Sequence, residues 1–290
     1  MSYNLLADSL VKENPQLYRM CNPRVLQWEN RSLILLKELE KQESHTIDIY
    51  CFQELDQFDY DTLFKEKFAQ WGYTGVYKKR NGDKYDGCAM FYRNQSVNLV
   101  SIATVDYHQN AFIDRDNIGI VGLFDIKQGT QVKRVCVATT HILFNPKRGM
   151  IKIAQLRMLL EKAKELIDNQ KNDIPFKGVD VSTIPESHMS GQFKGKIPIG
   201  HWRSNITGFH EAFNQGNHLT VVTEEIAKKE VCDYIFYGHL KKVPDSQASP
   251  KLELVACLEL PCKSLEDERG LPTDNFGSDH LSLVSKFRFT

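Results

Sequence analysis

Residues 97–144, "VNLVSIATVDYHQNAFIDRDNIGIVGLFDIKQGTQVKRVCVATTHILF", decide the fold. Three runs within them, 97–107, 117–126 and 132–144, are rich in β-branched and aromatic residues and succeed one another without a helical pattern between. With "DGCAMFYR" (86–93) upstream, introduced by a tight turn at Asn81-Gly82, they predict strands in direct succession rather than alternating βαβ units. Further out, "IDIYCFQELD" (47–56) is a short apolar run with an acid near its end, a buried strand reaching a loop. "RVLQWENRSLILLKELEKQ" (24–42) carries Val25, Trp28, Leu33, Leu36 and Leu39 as a helical stripe. "IKIAQLRMLLEKAKELIDNQ" (151–170) carries Ile153, Leu156, Leu159, Leu160 and Ala163 as another. "VCDYIFYGHL" (231–240) and "LSLVSKFRFT" (281–290) add strands, and 186–230 is polar and irregular. The expectation is one α/β domain over 1–290, with two sheets face to face and helices outside.

Composition narrows the function classes. Lys+Arg and Asp+Glu balance at 37 each, so no global basic field points to nucleic acid and any phosphate grip is local. No apolar run approaches the roughly 18 residues of a membrane span, and "MSYNLLADSL" lacks the zones of a signal peptide. Seven cysteines without a CxxC pair argue for reduced thiols in a cytoplasmic or nuclear setting.

Polar residues stand at the tips of the apolar runs. Asn4 follows the first, Glu54 closes "IYCFQE", His141 closes "VCVATTH", Asp233 opens "DYIFY", and Asp279-His280 precede the last strand. Singly, each has a bland reading as a solvated acid, a strand cap or an Asx turn. Layered sheets would bring all the tips to one rim.

The same residues carry a resemblance. "SYNLLAD" (2–8), "CFQELD" (51–56), "ATTHILFNP" (138–146), "DYIFY" (233–237) and "GSDHLSLVSKFRF" (277–289) resemble the ordered motifs of the exonuclease–endonuclease–phosphatase superfamily, the DNase-I-like fold. "LYRMCNPRVLQWENRSLILLKEL" (17–39), "YKKRNGDKYDGCAMFYR" (77–93), "IDRDNIGIVGLF" (113–124) and "HILFNPKRGMIKIAQLRMLL" (141–160) resemble its Angel branch, related to nocturnin and the carbon-catabolite-repression deadenylases. The resemblance implies a four-layer α/β sandwich of two mainly antiparallel sheets flanked by helices. It implies a Mg2+-dependent (or Mn2+-dependent) phosphoesterase acting on RNA 3′ ends, either a 2′,3′-cyclic phosphatase or a 3′ exonuclease of the deadenylase kind. The alternative is an impaired member that binds RNA or protein through the same rim. Carried over residue by residue, Glu54 and Asp279 are the metal carboxylates, hard oxygen ligands suited to Mg2+. Asn4 holds phosphate or a nearby water. His280, oriented by Asp233, contacts the scissile phosphate; His141 is a second phosphate-facing histidine, with Asn145 beside it. Lys79 and Arg80, on a basic turn with Tyr77 and Tyr85, are candidates for gripping RNA. Asn117, in "DRDN", matches a family signature without an assigned role.

One segment departs from the family. Its Gly-Asp-Phe-Asn strand end, which supplies the water-activating acid, has no counterpart. In one alignment "VDVSTIP" is a decayed version, in which Asp180 keeps the acid, Ser182 replaces the amide and Pro185 is the family proline. In the other the block is deleted near 175–180. The second is favoured: "NDIPFKG" offers only Ile174 and Phe176 around Pro175, and proline removes a ladder donor from a central strand. Met1 also falls inside the first strand motif, so the resemblance implies an N-terminally shortened chain lacking one core strand.

Overall fold

The computed structural model describes residues 1–43, 47–109, 111, 113–145, 147–169, 206–211, 221–223, 228–230, 233, 235–240, 252–258 and 271–289. In chain order the elements are β1 (Ser2–Asn4), α1 (Asp8–Glu13), α2 (Pro23–Leu26), α3 (Trp28–Glu43), β2 (Ile49–Asp56), α4 (Gln57–Asp59), α5 (Lys65–Gln70), β3 (Tyr73–Lys79), β4 (Asp86–Arg93), β5 (Val97–Asp106), β6 (Ile118–Gln128), β7 (Gln131–His141) and α6 (Gly149–Asn169). Six strands follow: β8 (Ile206–Glu211), β9 (Val221–Thr223), β10 (Lys228–Glu230), β11 (Phe236–Leu240), β12 (Leu252–Cys257) and β13 (Ser285–Phe289).

The first sheet runs β1-β2-β4-β3, with β1 parallel to β2 and the other pairs antiparallel. The second runs β5-β6-β7, antiparallel throughout. Strand alternation builds the layers. On β4, Cys88 and Met90 face Ile118, Ile120 and Phe124 of β6 and fill the space between the sheets. Ala89 and Phe91 point the other way, into a core shared with Leu35 and Leu39 of α3 and Phe64 and Phe68 around α5. Val121 and Leu123 of β6 meet Leu159, Ala163 and Leu166 of α6 on the far side. The result is helix, sheet, sheet, helix, as the sequence predicts. Among the described residues no strand pairs with the outer edge of β7; residues 170–205, where the deletion is expected, lie outside them.

Three expectations need correction. Within 186–230, read as irregular, β8, β9 and β10 form; β8 and β9 are short runs with β-branched residues that do not stand out among Gly, Ser and His, and β10, Lys-Lys-Glu, carries no strand signal of its own. On α3 the stripe through Leu33 is displaced: Leu33 is 67% exposed, while Arg31, Ser32, Leu35 and Leu39 are buried. On α6 the buried series is Ile151, Gln155, Leu159, Ala163 and Leu166. Both helices thus place polar residues where apolar ones are the norm: Arg31, Ser32 and Gln42 on α3 and Gln155 on α6.

The α3 layer also holds an acid in an unfavourable setting. Trp28 Nε1 donates to Asp59 Oδ1 at 2.7 Å, yet burial pushes the Asp59 carboxyl up to about 6. A carboxyl raised in the fold stabilises it while protonated and loses that contribution as pH rises from the unfolded value through about 6. Asp59→Asn should therefore flatten the fall in unfolding midpoint between pH 4 and 7, measured by thermal melts across that range. An unchanged slope would reject this origin.

Candidate active site

A break in strand register aims the central carboxylate. Phe52 pairs with Ala89 and Leu55 with Gly87, so Gln53 and Glu54 together oppose Cys88. Such a bulge re-aims a side chain at a sheet rim. Glu54 adopts φ +51°, the left-handed region a glutamate rarely enters. Opposite the bulge, a Cβ on Gly87 would collide with the Lys78 carbonyl, so only glycine allows β3 and β4 to close there.

Around Glu54 the predicted residues assemble. Asn4 Nδ2 donates to Glu54 Oε1 at 2.8 Å, and the Leu6 amide donates to Asn4 Oδ1 at 3.0 Å, orienting the amide. Leu6 itself sits at φ +55°. His141 Nε2 lies 3.5 Å from Glu54 Oε1. His280 Nδ1 and Asp233 Oδ2 are 2.6 Å apart, and His280 Nε2 is 3.8 Å from Asp279 Oδ1. Ser278 Oγ ties the two halves together, donating to the Asn4 carbonyl at 2.7 Å and accepting from the His280 amide at 3.1 Å. Asp279 is buried; burial raises its pKa, the His280 charge lowers it and Glu54 raises it again.

The remaining candidates lie elsewhere or are engaged. Lys79 Nζ folds back onto the Lys84 and Gly82 carbonyls at 2.5 and 3.3 Å. Arg80 Nε donates to Asp86 Oδ1 at 2.9 Å and makes an ion pair with it, so its charge is held by a buried acid. Tyr77 stacks on Tyr60, whereas Tyr85 is 66% exposed. Asn145 Oδ1 accepts from the Lys147 amide at 2.9 Å, an Asx turn ahead of α6. Asp180 lies outside the described residues.

Residues to which the sequence assigns no role hold this arrangement. Asn117 Nδ2 donates to the His141 carbonyl at 3.0 Å, and Gln155 Nε2 donates to Asn117 Oδ1 at 3.2 Å. Gln155 Oε1 accepts from the Leu143 amide at 2.9 Å, so the pair clamps the loop leaving His141. Gln53 Nε2 reaches across the sheets to Thr139 Oγ1 at 2.8 Å. The one available signal was "DRDN", already marked as a signature. Gln155→Leu keeps the volume but strips both bonds; we expect a loss of about 2 kcal/mol and a drop in turnover of about tenfold. Denaturant melts alongside kinetics would expose an error if both values stayed at wild type.

The donor set suits a hard divalent cation. Glu54 offers a carboxylate held from one side by an amide, and Asp279 Oδ1 is buried without a hydrogen-bond partner among the described residues. No group of three or more His, Cys, Asp or Glu is gathered as a protein-only cage among those residues. An oxygen site of few protein ligands fits an ion that keeps its waters.

These layers and this rim define an exonuclease–endonuclease–phosphatase domain, a class that generally depends on a divalent metal. A structure of ANGEL2, described as a 2′,3′-cyclic phosphatase in complex with adenosine-2′,3′-vanadate, superposes with a TM-score of 0.74 at 26% identity, covering 99% of this chain and 94% of that one. The human nocturnin catalytic domain shares the fold at a TM-score of 0.64 and 21% identity, covering 99% and 92%. No family model matches the chain. Protein angel homolog 2 is 38% identical in Mus musculus and 30% in Danio rerio, each aligned over 99% of this chain. The chain belongs to the Angel family. It spans 68% of the mouse relative and 63% of the Danio rerio one.

Proposed function

We propose that the chain is a Mg2+-dependent phosphoesterase acting on RNA 3′ ends, and that a terminal 2′,3′-cyclic phosphate is its substrate. The observation that carries this reading is the convergence of the Asn4–Glu54 pair, His141 and the Asp233–His280 pair on one rim. The likeness to ANGEL2 favours the cyclic phosphate over an adenylate tail. Hydrolysis adds water to phosphorus and breaks one ring P–O bond, giving a monoester; a phosphatase then adds a second water, breaks the remaining P–O bond and releases inorganic phosphate. Glu54 and Asp279 would hold Mg2+, which when bound neutralises phosphate charge and acidifies water. Asp233 fixes the His280 ring through Nδ1, leaving Nε2 to donate to a phosphate oxygen. His141 offers a second ring nitrogen from the other sheet, and the Asn4 amide keeps Glu54 in place.

No helix of the described residues is long and apolar enough to cross a membrane. Cys51, Cys88 and Cys136 are thiols whose pKa values burial raises, in keeping with a reducing compartment, cytoplasm or nucleus.

The test uses RNA oligonucleotides ending in a 2′,3′-cyclic phosphate or in poly(A) with a free 3′ hydroxyl, each with Mg2+ and with a chelator. Ring opening that the chelator and His280→Ala abolish supports the proposal. Shortening of poly(A) alone moves the chain to the exonuclease reading. Binding without turnover of either RNA leaves it a binding module.

A further inference from the structure

Asp279 has one oxygen spoken for and one left over. Tyr18 OH donates to Oδ2 at 3.0 Å, a buried contact between residues 261 apart in the chain. Oδ1 is buried without a hydrogen-bond partner among the described residues and faces His280 Nε2 at 3.8 Å. Tyr18 ends the single-turn helix Pro15–Tyr18 and is 5% exposed. Its ring packs with Leu6 and Val11, in a small cluster of its own beneath the turn that leaves Asn4. A buried phenol hydroxyl needs a partner; Glu54 and Arg31 also lie within electrostatic reach of this one, and its side-chain hydrogen bond goes to Asp279.

We infer that Tyr18 is a positioning residue: its hydroxyl pins Asp279 Oδ2 and so presents Oδ1 to the metal and phosphate side of the site. The inference rests on the metal-dependent reading above. A neutral donor suits the task. It fixes the rotation of the carboxylate without cancelling the negative charge that a lysine or arginine would neutralise. The Asp279 backbone is fixed separately, because Ser278 Oγ bridges the Asn4 carbonyl and the His280 amide. What remains to be set is the torsion of the Asp279 side chain itself, and the Tyr18 hydroxyl sets it.

The experiment compares the chain with Tyr18→Phe, which removes one oxygen. Mn2+ binding is read by electron paramagnetic resonance, turnover of cyclic-phosphate RNA by kinetics, and folding by thermal melts. We expect Mn2+ affinity and kcat each to fall by about 10-fold or more, with KM for RNA unchanged. In an Asp279→Ala background the hydroxyl has nothing to orient, so Tyr18→Phe should add no further loss of Mn2+ affinity. Val11→Ala thins the same cluster and should lower the melting midpoint while leaving Mn2+ affinity in place. Equal Mn2+ affinity for the chain and Tyr18→Phe overturns the inference. So does an equal loss in Val11→Ala, or a Tyr18→Phe chain that does not fold, because the hydroxyl is then a matter of stability. If the chain binds Mn2+ but turns over no RNA, the functional reading fails, and the difference in affinity still decides the role of Tyr18. A chain that binds no Mn2+ overturns both.

Discussion

Glu54→Gln should lower Mg2+-dependent turnover by about 10³-fold, equivalent to about 4 kcal/mol of transition-state stabilisation. The substitution is close to isosteric. Glutamine Oε1 can still accept from Asn4 Nδ2, now at 2.8 Å from the carboxylate, and the bulge between Phe52 and Leu55 does not depend on charge. What disappears is the anionic oxygen that would hold the cation. Kinetics at saturating RNA over a Mg2+ titration provide the check, and turnover within tenfold of wild type would remove Glu54 from the metal site. A companion change separates chemistry from folding. At φ +51° a glutamate is strained, and Glu54→Gly should relieve about 1 kcal/mol of that strain. It also removes a charge that raises the Asp279 and Asp86 carboxyls. A variant that melts higher and hydrolyses nothing would mean that stability is given up at this residue for function.

Arg31→Ala should cost about 3–5 kcal/mol of folding stability. The guanidinium is fully buried. Nη1 donates to the carbonyls of Leu6 at 2.7 Å and Gly277 at 3.2 Å, Nε donates to Leu26 at 3.3 Å, and Nη2 lies 3.8 Å from Asp8 Oδ1. Its carbon also stacks 5.0 Å over the Trp28 ring. Alanine would strand three carbonyls and leave a cavity where the planar fork lay, while Asp8 keeps its ion pair with Lys12 at 2.6 Å. Lysine cannot reproduce a fork that reaches three carbonyls, so Arg31→Lys should recover little. Denaturant titration measures both, and a loss under 1 kcal/mol for Arg31→Ala would show that the neighbouring backbone closes the gap.

Arg31 and Gln155 also mark where the sequence stops being readable. Asn4, Glu54, His141, Asp233, Asp279 and His280 were visible because a polar side chain at the end of an apolar run is conspicuous, and layered sheets bring run ends together. The two sheets were visible for the same local reason, since β-branched alternation along β4 to β7 is written within each strand. Arg31 was hidden. On a surface helix an arginine reads as solvated, and its purpose shows only once the fold brings the carbonyls of residues 6 and 277 to it. The misplaced stripe through Leu33 has the same cause: a buried arginine does not look apolar, so Ser32 and Leu35 were left out of a stripe that did include Leu39. Gln155 repeats this on α6, where it breaks the hydrophobic pattern and its partners lie 12 and 38 residues away. Lys79 and Arg80 pose the opposite problem. Their charges suggest a ligand, but the carbonyls and the acid of their own turn already take them.

The seam between Asn4 and Ser278 bears on how the protein is made. Their hydrogen bond spans 274 residues, and Ser2 bridges Leu283 on the same edge of β1. A ribosome releasing the chain from its N-terminus delivers Asn4 and Glu54 more than 200 residues before Ser278, Asp279 and His280. Until then β1 has an open border. The rim is therefore assembled only once the segment around residue 280 has joined the N-terminal sheet.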